Sequence, residues 1–259
     1  RLLCIAKVHK PTRLEALQAA FRYVRESTVD TRLYLEIADK LRAVLEEEQQ
    51  QQQPTNSGAE QQNQTMLEVD EAWVREVEAN ARMNHDRLES ELNSHKTSQI
   101  KESIRMGYND FGDFFYSSGR LEDALRSFIK TRDYCSTSAH IVQMCTNVVK
   151  VATEMQELDA VENYVLRAEM SISATAEPAV HAKLHACMGI AMLGRKQYRQ
   201  AALRFSECSI GTGEDGIAAM AAQFGDLLAL EDIALYGGLL ALATFSRDEV
   251  RDKVLSNSA

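Results

Sequence analysis

The 259-residue chain carries 29 Lys and Arg against 38 Asp and Glu, a formal net charge of −9, which excludes a duplex-binding module because phosphate contacts need a concentrated positive surface. Its 12 Gly and 3 Pro are too few turn-formers for a many-stranded sandwich or barrel, whereas its Ala-, Leu-, Glu-, Gln- and Arg-rich stretches favour helix, so the class is all-α. Cys4, Cys135, Cys145, Cys187 and Cys208 stand without a C-x-x-C pair, the pattern of reduced thiols in the cytosol or nucleus rather than of a disulfide framework.

Arg1-Leu2-Leu3-Cys4-Ile5-Ala6 reads as helix from the start, with no initiator methionine and no charged-then-apolar leader, so the chain is expected to be an excerpt of a longer protein. Residues 1–48 form an N-terminal helical segment of three predicted helices: Arg1 to about Val8, Arg13 to Glu26, and Thr31 to about Glu48. Thr12 with Glu15 makes a capping box after Pro11, and Asp30 caps the third helix. Leu14, Leu17, Phe21 and Val24 share one face of the second helix, as Leu33, Ile37, Leu41 and Val44 do on the third. Residues 49–65, QQQQQPTNSGAEQQNQT, have almost nothing apolar to bury. They cannot offset the entropy of ordering, and a disordered surface insertion is predicted. Residues 69–104 return to helix, with Trp73, Val77, Leu88 and Leu92 as an apolar stripe through a charged stretch. A second run, Ile100, Ile104, Tyr108, Phe111 and Phe115, leads into the region 105–259.

That region carries the signature of tetratricopeptide-like hairpins, units of about 34 residues in which small residues let two helices touch and large ones fill the gaps between hairpins. Tyr108, Phe111, Gly112, Phe115, Gly119, Leu121, Ala124 and Phe128 occupy successive signature positions, with Gly119 at the inter-helix turn. A degenerate second unit opens at Val142, with Val148, Ala152, Leu158, Val161, Val165 and Ala168 in register and no glycine. The third opens at Ala182, where Met188, Gly189, Met192, Tyr198, Ala201 and Phe205 restore the pattern. A fourth hairpin is predicted over residues 232–255, with a capping box at Ser246 and Glu249 and no capping repeat after it. The expected architecture is a right-handed solenoid of such hairpins behind the N-terminal segment.

Few residues point to chemistry. Gly211-Thr212-Gly213-Glu214-Asp215-Gly216 satisfies G-x-G-x-x-G, but a helix rather than a strand precedes it, and Glu214 and Asp215 would repel a pyrophosphate. His181, His185 and Cys187, or Cys135, His140 and Cys145, can be arranged into a zinc site on paper. Cys187 sits well around the helix from both histidines, so buried thiols and partly exposed imidazoles are the expected reading. Glu122-Asp123 reads as solvated helix surface, and no Ser/His/Asp or Cys/His arrangement has a local signature. No catalytic, cofactor-binding or metal-ligating residue is predicted. The longest apolar stretches, such as Leu235 to Phe245, fall short of the roughly 20 residues a membrane helix needs, so no membrane association is expected.

What remains is partner binding. Arg195, Lys196, Arg199 and Arg204 form the dense basic cluster, on the turn and second helix of the third hairpin, and are the candidate docking residues for an acidic partner surface. The carboxylate-clamp positions of peptide-binding repeats fall here on Asn109, Asp113, Asn147, Lys183 and Cys187. Asp113 would repel a C-terminal carboxylate, which argues against a peptide-tail clamp.

The stretch IKESIRMGYNDFGDFFYSSG from Ile100, TRDYC from Thr131, HIVQMCTNVVKV from His140 and DIALYGGLLALATFSRDEVRDKVL from Asp232 together resemble the subunit-1 family of the COP-nine signalosome. The resemblance implies a helical-repeat arm followed by a winged-helix PCI module, in a non-catalytic scaffold subunit. It further implies cytoplasmic and nuclear localisation, other signalosome subunits and cullin-RING ligase components as partners, and membership of the complex that removes Nedd8 from those ligases through a metalloprotease in a different subunit. The related proteasome-lid subunit shares the repeat-plus-PCI plan and is the alternative. The glutamine-rich insertion has no counterpart in the resemblance.

Overall fold

The computed structural model of the chain describes residues 2–8, 10–51, 69–172, 178–208 and 228–255, and every regular element among them is helical. None of these helices is long and apolar enough to cross a membrane. The chain divides into two compact units, Arg1–Ser98 with Asp110–Ala124, and Gln99–Asn109 with Leu125–Ala259.

In the first unit, α1 (Leu2–Val8), α2 (Arg13–Ser27), α3 (Thr31–Gln51) and α4 (Glu71–Ser98) follow the predicted order. Asp30 caps α3 as expected, its Oδ1 accepting from the Leu33 amide at 3.0 Å. The capping box at Thr12 is absent. Thr12 is at φ −104, ψ 10, not extended, and its side chain makes no cap bond; only its carbonyl engages, accepting from the Ala16 amide at 2.9 Å. α3 runs three residues into the predicted disordered insertion, through Gln51, since extending a formed helix costs far less than nucleating one. The rest of that insertion lies outside the described residues.

The core of this unit follows the predicted faces: Leu17, Ala20 and Val24 of α2 meet Ile37, Leu41 and Val44 of α3. At its centre is Tyr34, with no exposed surface. The ring stacks on Phe21 at 4.5 Å and tilts against Trp73 at 4.8 Å, while its hydroxyl accepts from the Asp70 amide at 3.2 Å. Asp70 in turn caps α4 through the Trp73 amide at 2.9 Å and pairs with Arg25 at 2.7 Å. The chain before and after residues 52–68 is therefore joined through the buried Tyr34 phenol, the Arg25–Asp70 pair and the packing of Val69, Trp73 and Val74 on the same core. Tyr34→Ala is expected to cost about 3–5 kcal/mol by urea unfolding, from lost burial and the cavity left behind, and Tyr34→Phe about 1 kcal/mol, from the hydroxyl alone.

The repeat hairpins are α5 (Lys101–Ser117) with α6 (Leu121–Lys130), α7 (Ser138–Glu154) with α8 (Leu158–Ser171), and α9 (Pro178–Gly194) with α10 (Tyr198–Ser206). A 3-10 turn, Thr131–Tyr134, follows α6. The last described elements are α11 (Leu230–Thr244) and the short α12 (Arg247–Val250), which continues as a π turn, Arg251–Leu255. The predicted capping box is present at Ser246 and Glu249. The glycine-rich stretch 211–216 lies outside the described residues.

All three hairpins turn in the same way. Gly119 at φ 71, Gln156 at φ 60 and Lys196 at φ 63 each take the left-handed conformation just past the first helix. The residue after each donates back across the turn: Arg120 N to Phe115 O at 2.9 Å, Glu157 N to Ala152 O at 3.0 Å, and Gln197 N to Met192 O at 2.9 Å. Together with the bonds of shorter sequence span from Gly119, Gln156 and Lys196 to the third residue before each, these are Schellman closures that satisfy the last carbonyls of the helix. The second hairpin lacks the glycine of the signature, and Gln156 takes its place. Within the second unit, packing then runs in chain order, α7 on α8, α8 on α9, α9 on α10 and α10 on α11, with α7 also reaching α9. Gly189 permits a close approach of α9 to α10, since a Cβ there would lie 2.8 Å from the Phe205 ring, and Gly194 does the same for α9 on α8, 2.7 Å from Leu158.

The turns differ in strain. A left-handed L-residue costs about 1–2 kcal/mol, and at Gly119 an added Cβ would also fall 1.9 Å from the Asp30 carboxylate. Gly119→Ala is therefore expected to lower stability by about 1–3 kcal/mol, whereas Gln156→Gly and Lys196→Gly are each expected to raise it by about 0.5–1 kcal/mol after the entropy of glycine is deducted. Urea midpoints at constant m-value read both signs.

Candidate protein-interaction surface

The surface of the second unit is organised by polar residues on the first helix of each hairpin. Arg105 of α5, only 9% exposed, donates to Glu102 through Nε at 3.2 Å and Nη2 at 2.7 Å, and through Nη1 to Gln143 of α7 at 3.2 Å. These bonds hold the Glu102 carboxyl below its ordinary range and the guanidinium above its own. One turn further along, Asn147 Nδ2 of α7 donates to Asn109 Oδ1 at 2.8 Å. Tyr108 stacks on Tyr134 with ring centroids 5.8 Å apart. Arg105, Tyr108 and Asn109 thus tie helices together, and they stand in the block that carries the family resemblance.

Beside these ties, α7 and α9 border a groove of ≈ 630 Å³. Val142, Thr146 and Asn147 line one wall, Val180 and Lys183 the other, and Ser171 and Ile172 lie at its edge. It is an apolar trough with amide and ammonium groups, suited to an extended peptide whose backbone needs hydrogen-bonding partners. Of the five clamp positions, Asn147 and Lys183 line the groove and Asn109 is bonded to Asn147. Cys187 is 2% exposed and its thiol is pushed up to about 12 by burial. Asp113 belongs to the first unit, where it borders a hollow with Arg87 and Glu91. Asn109, Asn147 and Lys183 are thus the clamp positions gathered at the groove.

The basic cluster lies where the sequence puts it, but three of its four members hold carboxylates of the same chain. Arg195 pairs with Asp159 and Glu162 of α8. Arg199 pairs with Glu249 at 2.6 Å and donates to the Thr244 carbonyl at 3.1 Å. Arg204 reaches Glu169 at 3.2 Å and the His185 ring at 3.1 Å. Lys196 is exposed at its left-handed turn. The arginines bind one helix to another across hairpins.

Among the described residues, the cysteines do not converge with the histidines. Cys145, Cys187 and Cys208 are buried, and burial pushes their thiols up to about 11, 12 and 12, which keeps them protonated and poor as nucleophiles or ligands. His185 is shifted toward its neutral form, first by burial. Among the described residues, His85, Asp86 and Glu89 bring ligand atoms within 4.8 Å of one another. The two carboxylates are exposed, and the His85 ring packs edge-on to Phe111 at 5.7 Å, as a member of the α4 stripe.

Two measurements follow from the arginine pairs. Arg195→Glu sets three acids together and is expected to lower stability by about 1–2 kcal/mol, with any loss of partner binding following the loss of fold. Glu249 is held at about 2, first by the Ser246 amide and then by Arg199, against an ordinary 4.5. A depressed carboxyl stabilises the fold fully above its unfolded value, so the α12 cap is expected to hold above about pH 4.5 and to be lost as pH falls toward 2. Amide exchange over residues 246–250 reads the transition, and Arg199→Gln is expected to move it upward.

Stacked helical hairpins tied to one another by polar side chains, with a peptide-sized groove beside the ties, define a helical-repeat protein. Residues 70–253 match the family model described as 26S proteasome subunit RPN7, and the chain belongs to that family. It is 38% identical to COP9 signalosome complex subunit 1 of Arabidopsis thaliana over 243 residues, covering 94% of this chain and 49% of that protein. To subunit 1b of Drosophila melanogaster it is 30% identical over 296 aligned positions, covering 100% and 54%. Subunit 1 of Emericella nidulans is 33% identical over 198 residues, 76% of this chain and 38% of that protein. The chain spans about half the length of the first two of these relatives. The family resemblance read from the sequence is thus met.

Proposed function

We propose that this chain is the helical-repeat arm of a COP9 signalosome subunit and acts as a non-catalytic scaffold in the complex that removes Nedd8 from cullin-RING ligases. The similarity to subunit 1 over 94% of the chain carries the reading. The contacts of Arg105 and Asn109 support it, since residues of the resembling block are engaged in positioning helices. In this reading the repeats offer surface to neighbouring subunits, and the isopeptidase chemistry belongs to another chain. A proteasome-lid subunit is the second reading, favoured by the description of the matching family model.

Reconstitution separates the two. The chain is expected to co-elute with at least one purified signalosome subunit and with no proteasome-lid subunit, and to release no Nedd8 from a neddylated cullin by itself. Co-elution with lid subunits alone would move the assignment to the second reading. Nedd8 release by the isolated chain would refute the scaffold role.

A further inference from the structure

The N-terminal helices carry a cleft that the scaffold reading does not use. Between α1, α2 and α3 lies a hollow of ≈ 400 Å³ with Leu3, Ala6 and Leu17 among its lining and Lys7, Lys10, Arg13 and Lys40 around it. Ala6 is 6% and Leu17 2% exposed, so the apolar part is a recessed floor. Lys7 and Lys10 are exposed. Arg13 and Lys40 each pair with an exposed carboxylate, Glu47 at 3.2 Å and Glu36 respectively; Lys7 and Lys10 are in no direct ion pair among the described residues, Lys7 acting on Glu36 only as a weaker, secondary charge behind Lys40. With Glu36 and Glu47 set against Lys40 and Arg13, the recess keeps an excess of two positive charges, from Lys7 and Lys10, in a chain of net charge −9.

We propose that this cleft is a docking site for an acidic peptide segment of a partner protein, one that seats an apolar side chain on Leu3, Ala6 and Leu17 and sets carboxylates against Lys7 and Lys10. Charge complementarity selects the sign of the occupant and steers its approach. The recessed floor selects its class. A bare inorganic anion gains nothing from apolar surface, and a membrane offers no side chain to enter a hollow, whereas a peptide fills both parts with an apolar anchor flanked by acids. Arg13 exchanges Glu47 for an incoming carboxylate at little cost, because that pair is exposed.

The test uses the whole chain and a fluorescein-labelled synthetic peptide in which a single leucine sits among aspartates and glutamates, read by anisotropy. Binding is expected to weaken with added salt, to fall about tenfold in K7E/K10E, and to fall several-fold when the leucine of the peptide is replaced by serine. Lys7 and Lys10 are exposed, so an unchanged circular-dichroism melt is expected to show that K7E/K10E stays folded. If it does not, K7Q/K10Q, which removes charge without reversing it, serves in its place. Absence of peptide binding, or binding equal in the wild type and the lysine variant, overturns the proposal. Equal binding of the serine peptide together with full displacement by tripolyphosphate reduces the cleft to an anion site and overturns it as well. Lysine-dependent binding to phosphatidylserine vesicles without peptide binding does the same in favour of a membrane surface.

Discussion

The repeats depend on one backbone constraint: a residue in left-handed conformation just past the first helix of each hairpin. At Gly119, Gln156 and Lys196 this turn lets the residue's own amide and the next one reach back to the helix end, satisfying carbonyls that would otherwise lack partners, and reverses the chain direction. Only Gly119 has the residue best suited to the geometry, and there the room left by the missing side chain is occupied by Asp30. Gln156 and Lys196 are exposed, so their long side chains extend into solvent and only the backbone strain is borne. The hairpins survive loss of the signature glycine because packing over two helices outweighs a strain of about 1–2 kcal/mol.

Once the turns are set, the register between hairpins follows, and with it the polar contacts. Arg195 meets residues 36 and 33 positions away, Arg204 one 35 away, and Arg105 and Asn109 each meet partners 38 away. Each separation is about one repeat. Like positions in successive hairpins become neighbours, so an arginine at one position finds an acid or amide at a nearby position of the adjacent unit. In an acidic chain this leaves the arginines at these positions engaged within the repeats.

Much of this was legible in the sequence. Helix order, the faces of α2 and α3, the caps at Asp30 and Ser246 and the hairpins from Tyr108 to Phe205 all rest on local periodicity and short-range capping, which a linear chain displays. The Thr12 box was misread because the pattern of residue types was present while the backbone at Thr12 never becomes extended. Tyr34 was not singled out, since nothing near it in sequence signals a partner 36 residues on, at Asp70. The basic cluster of Arg195, Lys196, Arg199 and Arg204 read as open charge because its acids lie a repeat or more away. Applying the hairpin spacing to charged residues, as well as to apolar ones, would have paired Arg195 and Arg204 in advance. The groove between α7 and α9 has no sequence signal of its own beyond the clamp alignment, which found Asn147 and Lys183 on its walls.

A helical-repeat surface binds well only if it is held in shape before the partner arrives, because ordering it on contact subtracts directly from affinity. The ties from Arg105 to Gln143 and from Asn147 to Asn109 sit beside the groove wall formed by α7, and the Schellman closure at Gln156 ends that same helix. The wall is thus pinned along its length by groups that lie in or next to the resembling block. This accounts for a block that reads as specific in sequence yet contains no reactive geometry among its described residues: its side chains specify the relation of one hairpin to the next. A substitution there would change the groove that these ties shape.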